Sequence, residues 1–154
     1  MVRPMRSGLL LASALACAPA YAADITVDST ADDGRGCTLR NAILTAQNAP
    51  GYAAIGGCRP GSAGVDRVVV PAGRYALTAG GPDEDAARGG DLDLTESVII
   101  EGAGAGVVTV DAGGRDRVFH VIGAGVRAEL SGLTITNGNA GGGQLGAHPR
   151  ADNV

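Results

Sequence analysis

The chain contains no lysine and no tryptophan, and only four of its 154 residues are aromatic. With rings so scarce, its interior has to be filled by Val, Ile, Leu and Ala. Arginine supplies all 12 basic residues against 16 acidic ones. That balance lacks the positive footprint of a nucleic-acid or anionic-membrane binder. The absence of lysine itself reads as a base-composition habit. Long apolar runs are missing too. Gly8 to Cys17 is the main apolar stretch, far short of the roughly 20 residues that a membrane-spanning helix needs. Two cysteines, Cys37 and Cys58, with one distant histidine do not compose a zinc-site pattern. No catalytic constellation stands out, and no cofactor is implied.

What is present begins with an export signal. Arg3 and Arg6 form a positive start, Gly8 to Cys17 an apolar core, and Ala20-Tyr21-Ala22 a small-x-small cleavage site. The expectation is a signal peptide over 1–22, with Ala23 as the first residue after cleavage. Two other readings of this segment are a buried N-terminal helix and a lipoprotein signal acylated at Cys17. The leucine of Ala14-Leu15-Ala16-Cys17 sits one place off the lipoprotein pattern. Export would leave one domain of residues 23–154, with ten basic against sixteen acidic residues, a net charge of about −6. It would also leave two cysteines, Cys37 and Cys58. An even count in an exported chain favours a disulfide, with free buried thiols as the alternative. The bond would close a loop of about 20 residues, for roughly 3 kcal/mol in the chain-entropy picture.

The rest of the chain is organised by glycine. Val98-Ile99-Ile100, Val107 to Val110, Val118 to Ile122, Val126 to Leu130 and Leu133 to Thr136 are strand-length β-branched runs. Glycine clusters at 102–106, 113–114 and 123–125 separate them. Upstream, Ile25 to Val27, Val68 to Val70 and Tyr75 to Thr78 read as further strands. Asp32-Asp33-Gly34 reads as a turn with solvated acids, and residues 79–91 as a protruding Gly- and Asp-rich loop. One helix is expected, from Thr38 to about Asn48. Leu39, Ala42, Ile43 and Ala46 share its apolar stripe, Thr38 is a fair N-cap, and Ala49-Pro50-Gly51 stops it. Ile99 and His120 are 21 residues apart, as are Thr109 and Leu130. This weak self-similarity matches a solenoid period. An antiparallel β-sandwich also shows strands at such spacing.

Cys37-Thr38-Leu39-Arg40-Asn41-Ala42-Ile43, with Ala46-Gln47-Asn48 after it, resembles the signature of the CSLREA domain of bacterial exported proteins. The runs Asp66 to Thr78, Gly90 to Thr95, Val98 to Gly104, Asp116 to Val121 and Leu130 to Gly138 are similar to that family's text in the same order. The resemblance covers roughly residues 24–143. It implies an all-β fold, a right-handed parallel β-helix of pectin-lyase-like shape, of which 23–143 would be the N-terminal portion with one short amphipathic capping helix. It also implies a secreted or cell-surface location. It implies no activity, because such folds host enzymes and passive stalks alike. Two departures stand out. Asn41 replaces the family's glutamate, which should weaken the reciprocal half of the capping box. The tail 144–154, interrupted by Pro149, continues no strand pattern and reads as a truncation or shifted frame.

Several residue groups invite chemistry, each with a plainer reading. Asp91 and Asp93, with Asp83-Glu84-Asp85 nearby, are hard oxygen ligands for calcium, or solvated loop acids. Asp111 and Asp116 form a candidate carboxylate pair for glycoside cleavage, or flank a Gly113-Gly114 turn for backbone reasons. His120 lies inside a strand with no nucleophile motif, as a structural or surface residue. Arg115 and Arg117 are able to bind acidic sugars, or to balance Asp111 and Asp116. Gly102-x-Gly104-x-Gly106 has the wrong spacing for a dinucleotide fingerprint. Asn137 and Asn139 read as turn residues, or as the start of an asparagine ladder. The leading expectation is therefore an exported structural or adhesive module. Its partner is unspecified, with surface polysaccharide or self-association through an open β-helix end as the options. A polysaccharide lyase or glycoside hydrolase is the alternative.

Overall fold

Glycine and β-branched residues alternate along the chain in blocks, and the backbone follows them closely. A computed structural model describes residues 22–47, 54–80 and 85–140. The elements run β1 (Asp24–Thr26), α1 (Leu39–Ala46), β2 (Asp66–Val70), β3 (Gly73–Ala76), β4 (Leu92–Leu94), β5 (Val98–Gly102), β6 (Val108–Asp111), β7 (Phe119–Val121), β8 (Ala128–Ser131) and β9 (Thr134–Thr136). The strands lie in three sheets, ordered β1-β2-β5-β8, β3-β6-β9 and β4-β7. Every pairing is parallel. Parallel partners cannot be joined by a hairpin, so the chain visits another sheet before it returns. The connection from β2 to β3 is only Pro71-Ala72. Proline offers no N–H to a ladder and ends the strand there.

Period-two alternation supplies the core. In β2, Asp66, Val68 and Val70 point in while Arg67 and Val69 stay half-buried. Val98 and Ile100 of β5, and Val108 and Val110 of β6, do the same. From α1 come Leu39, Ala42 and Ile43. The helix packs against β1, β2 and β4. Its one apolar stripe therefore finds the surface that so short a helix requires.

This architecture corrects the expected all-β right-handed parallel β-helix. The described residues form a small mixed, α/β-like arrangement of separate parallel sheets of two to four strands, with one short helix and no closed or solenoid sheet. The 21-residue period is not the pairing period. Ile99 pairs with Glu129, His120 with Asp93, and Thr109 with Thr134. Glycine-bounded runs specify how long a strand is and where it turns. They leave open which strand it pairs with.

Four local expectations also change. Residues 92–94 form a strand, β4, that the β-branched spacing does not mark. The segment 85–91 does not protrude: Ala87 is 1% exposed and Asp91 fully buried. Asp32 is buried, not solvated. The helix ends at Ala46, with Gln47 as its C-cap. The signal core with Cys17, the acids Asp83 and Glu84, Asn48 and the tail 144–154 lie outside the described residues. The other expected strands fall within a residue or two of their places.

Candidate functional site

Asp91-Leu92-Asp93-Leu94 alternates acid with leucine along β4. Alternation sends Leu92 and Leu94 to one face and Asp91 and Asp93 to the other. The leucines enter the core. The acids are covered as well, because the segment 85–91 folds over them; Asp91 and Asp93 are both fully buried. The backbone N–H of Ala87 donates to Asp93 Oδ2 at 2.8 Å. On the neighbouring strand β7, His120 is the register partner of Asp93. Its Nδ1 lies 3.1 Å from Asp93 Oδ1 and 3.7 Å from Asp85 Oδ1. Asp85 is largely exposed and His120 only partly so. The sheet thus brings an imidazole and two carboxylates together from three points in the chain.

Beside them stands a second ionic group. Arg117 Nε donates to Asp91 Oδ2 at 2.6 Å and stands 3.9 Å from Asp116 Oδ1. Asp91 Oδ1 and Asp116 Oδ2 are buried without a hydrogen-bond partner. Burial raises the Asp91 carboxyl above the usual range, against the opposing pull of Arg117. Burial also raises Asp93, to about 6; the Ala87 N–H opposes this, the Asp91 charge adds to it, and His120 opposes it. The negative groups Asp85, Asp91, Asp93 and Asp116 outnumber the positive ones around them.

The sequence-singled residues separate on this geometry. Asp93 meets Asp85, with which the sequence had grouped it, and His120, with which it had not; Asp91 pairs with Arg117 instead. Asp111 and Asp116 have different partners, Asp116 Oδ1 accepting from Arg117 N. Asp111 is held by Arg74, by the Gly113 N–H and by Asn137 Nδ2. The Gly113 and Asn137 hydrogen bonds, with Arg74, keep its carboxyl below the usual range. Arg117 turns to Asp91. Asn137 takes a positive φ of 54°, as a turn residue does, and Asn139 caps the Gly114 carbonyl. In the helix signature, Thr38 Oγ1 accepts from Asn41 N as an N-cap should. Cys37 and Cys58 stand at disulfide distance, with Cα atoms 4.6 Å apart. Ala22 and Ala23 lead into β1, where Arg67 N donates to the Ala23 carbonyl.

Arg40 is the residue whose role sequence reasoning missed. Its guanidinium forms a bidentate pair with Asp32, at 2.7 and 3.0 Å. It also donates to the carbonyls of Ala87, Gly89, Gly90 and Asp91. Asp32 Oδ2 accepts in turn from Thr78 N and Ala79 N. One buried arginine thereby fixes the segment that covers Asp93. An open depression of about 380 Å³ adjoins it, lined by Asp33, Leu44 and Arg88 among others. The alternation Asp-Leu-Asp-Leu was the legible signal for the β4 acids. Nothing local marks Arg40, because its partners lie some 8 and 50 positions away.

Compared with known proteins, the chain matches no protein-family model, no curated protein and no solved structure.

Proposed function

We propose that the chain is an exported structural or adhesive module, secreted or held at the cell surface. The observation that carries this reading is the state of its candidate glycosidase acids. Asp111 and Asp116 are engaged separately, in tying turns and neighbouring strands together. General acid–base chemistry on a glycan requires two carboxyls facing one bond. The ordered signal over 1–22, the cysteine pair suited to an oxidising compartment, and the CSLREA-like text from Cys37 to Ile43 support export. No described helix is long and apolar enough to cross a membrane.

Contact would be made through sheet edges. Among the described residues β8 and β9 each end a sheet. Leu130, Leu133 and Ile135 beside them are only partly buried. Such edges are templates for another chain, and a second copy is the occupant we favour over a polysaccharide. The test has two parts. N-terminal sequencing of exported protein should begin at Ala23; an acylated Cys17 would instead identify a lipoprotein. Incubation with polygalacturonate and other acidic glycans should yield no product. Product formation that disappears in Asp111→Ala or Asp116→Ala would establish a lyase or hydrolase and overturn the structural reading.

A further inference from the structure

We propose that Asp85, Asp93 and His120 form a binding site for a borderline divalent metal ion such as Zn²⁺. Their three donor atoms all lie within 4.8 Å of one another. Donors bound at about 2.1 Å around a tetrahedral ion stand about 3.4 Å apart. The distances of 3.1 and 3.7 Å from His120 Nδ1 to the two carboxylates bracket that value. Small side-chain movements suffice to close the set on an ion.

A second feature points the same way. Asp91 is fully buried, lies on the same side of β4 as Asp93 by strand alternation, and has one carboxylate oxygen without a hydrogen-bond partner. Arg117 is the one arginine paired to these acids in the described residues. Buried carboxylates are normally paired or bound to metal, and a divalent cation would neutralise the excess.

The donor chemistry selects the ion. Calcium and magnesium take oxygen ligands, whereas imidazole suits zinc and its neighbours. The participation of His120 therefore moves the site away from the calcium reading that the acids alone suggest. The Ala87 N–H holds Asp93 Oδ2 and leaves Oδ1 turned to His120, the outer support a metal-ligating carboxylate commonly has. Asp85, largely exposed, provides the entry side and leaves room for water in the remaining positions. Zinc takes the imidazole through a ring nitrogen that carries no proton.

The experiment is calorimetric titration of the chelator-treated protein with ZnCl₂ and, separately, CaCl₂. We expect one Zn²⁺ per chain, and at least tenfold weaker binding in Asp85→Asn and in His120→Gln. Calcium should bind at least tenfold more weakly than zinc. Thermal unfolding of the metal-free variants establishes that they are folded. Should His120→Gln not fold, Asp85→Asn carries the test alone, since that side chain is exposed. Absence of stoichiometric zinc binding would overturn the proposal. So would wild-type affinity in Asp85→Asn, or a preference for calcium.

Discussion

Arg40 concentrates more of this structure in one side chain than any other residue described. It is 5% exposed, as is its partner Asp32 in the ion pair. Removing one member of such a buried pair leaves the other without its counter-charge; Asp32 would keep only the Thr78 and Ala79 N–H groups. Arg40→Met should therefore cost about 3–5 kcal/mol, read as a lowered denaturation midpoint. Replacing both, Arg40→Met with Asp32→Leu, should restore part of that loss, because the stranded charge is gone. A double variant no better than the single one would show that the lost carbonyl contacts dominate. Asp111 behaves differently. Its carboxyl titrates below the ordinary value of about 3.9 for aspartate. Its stabilisation is thus complete above that pH and is lost as pH falls through the lower folded value. Asp111→Asn should destabilise the protein at neutral pH. The gap from the native chain should close on acidification below about pH 3.9.

At the scale of elements, the helix shows how a motif residue can be redirected. Asn41 occupies the place where a glutamate would complete a capping box. Instead of reaching back to the N-cap, its Nδ2 donates to the carbonyls of Gly34 and Gly36. Gly56 packs against the same amide, since a Cβ there would lie 2.0 Å from Asn41 Nδ2. The side chain thus braces two loops near the Cys37–Cys58 pair. Asn41→Glu should destabilise the fold even though it restores the capping box, because a carboxylate cannot donate to two carbonyls. A thermal midpoint equal to or above the native one would show that the cap outweighs the loop contacts. Gln47, at the other end of α1, donates to the Asp93 carbonyl at 2.9 Å and accepts from Glu96 N. The helix is therefore tied to β4 at its C-terminus and to the cover of β4 through Arg40.

For the whole molecule, order should follow sheet position. Strands β2 and β5 have a partner on both sides, whereas β8 and β9 have one. Amide exchange is slowest where opening requires a cooperative loss of packing. We expect the slowest exchange in β2 and β5 and the fastest in β8, β9 and residues 138–140. Sedimentation should show association rising with concentration, and Leu130→Asp should reduce it. A monomer at high concentration with strong protection through β9 would rule out the edge contact.

Much of the local structure was already determined by the sequence. Valine and isoleucine between glycines specify short strands at 98–102 and 108–111, and the stripe Leu39, Ala42, Ile43 specifies a helix capped by Thr38. These outcomes depend on neighbours along the chain, which a sequence displays directly. Pairing does not. Whether Ile99 meets His120 or Glu129 depends on which surfaces bury each other, so the expected β-helix gave way to separate parallel sheets, with a helix packed against strands of two of them. The site shares this dependence. Asp91 and Asp93 stood out in the sequence as candidate ligands, yet their burial required the 85–91 segment, and that segment is held by an arginine far away in sequence. His120 became part of the cluster only because β7 pairs with β4 in one register. A shift by a single residue would have turned its imidazole to the opposite face.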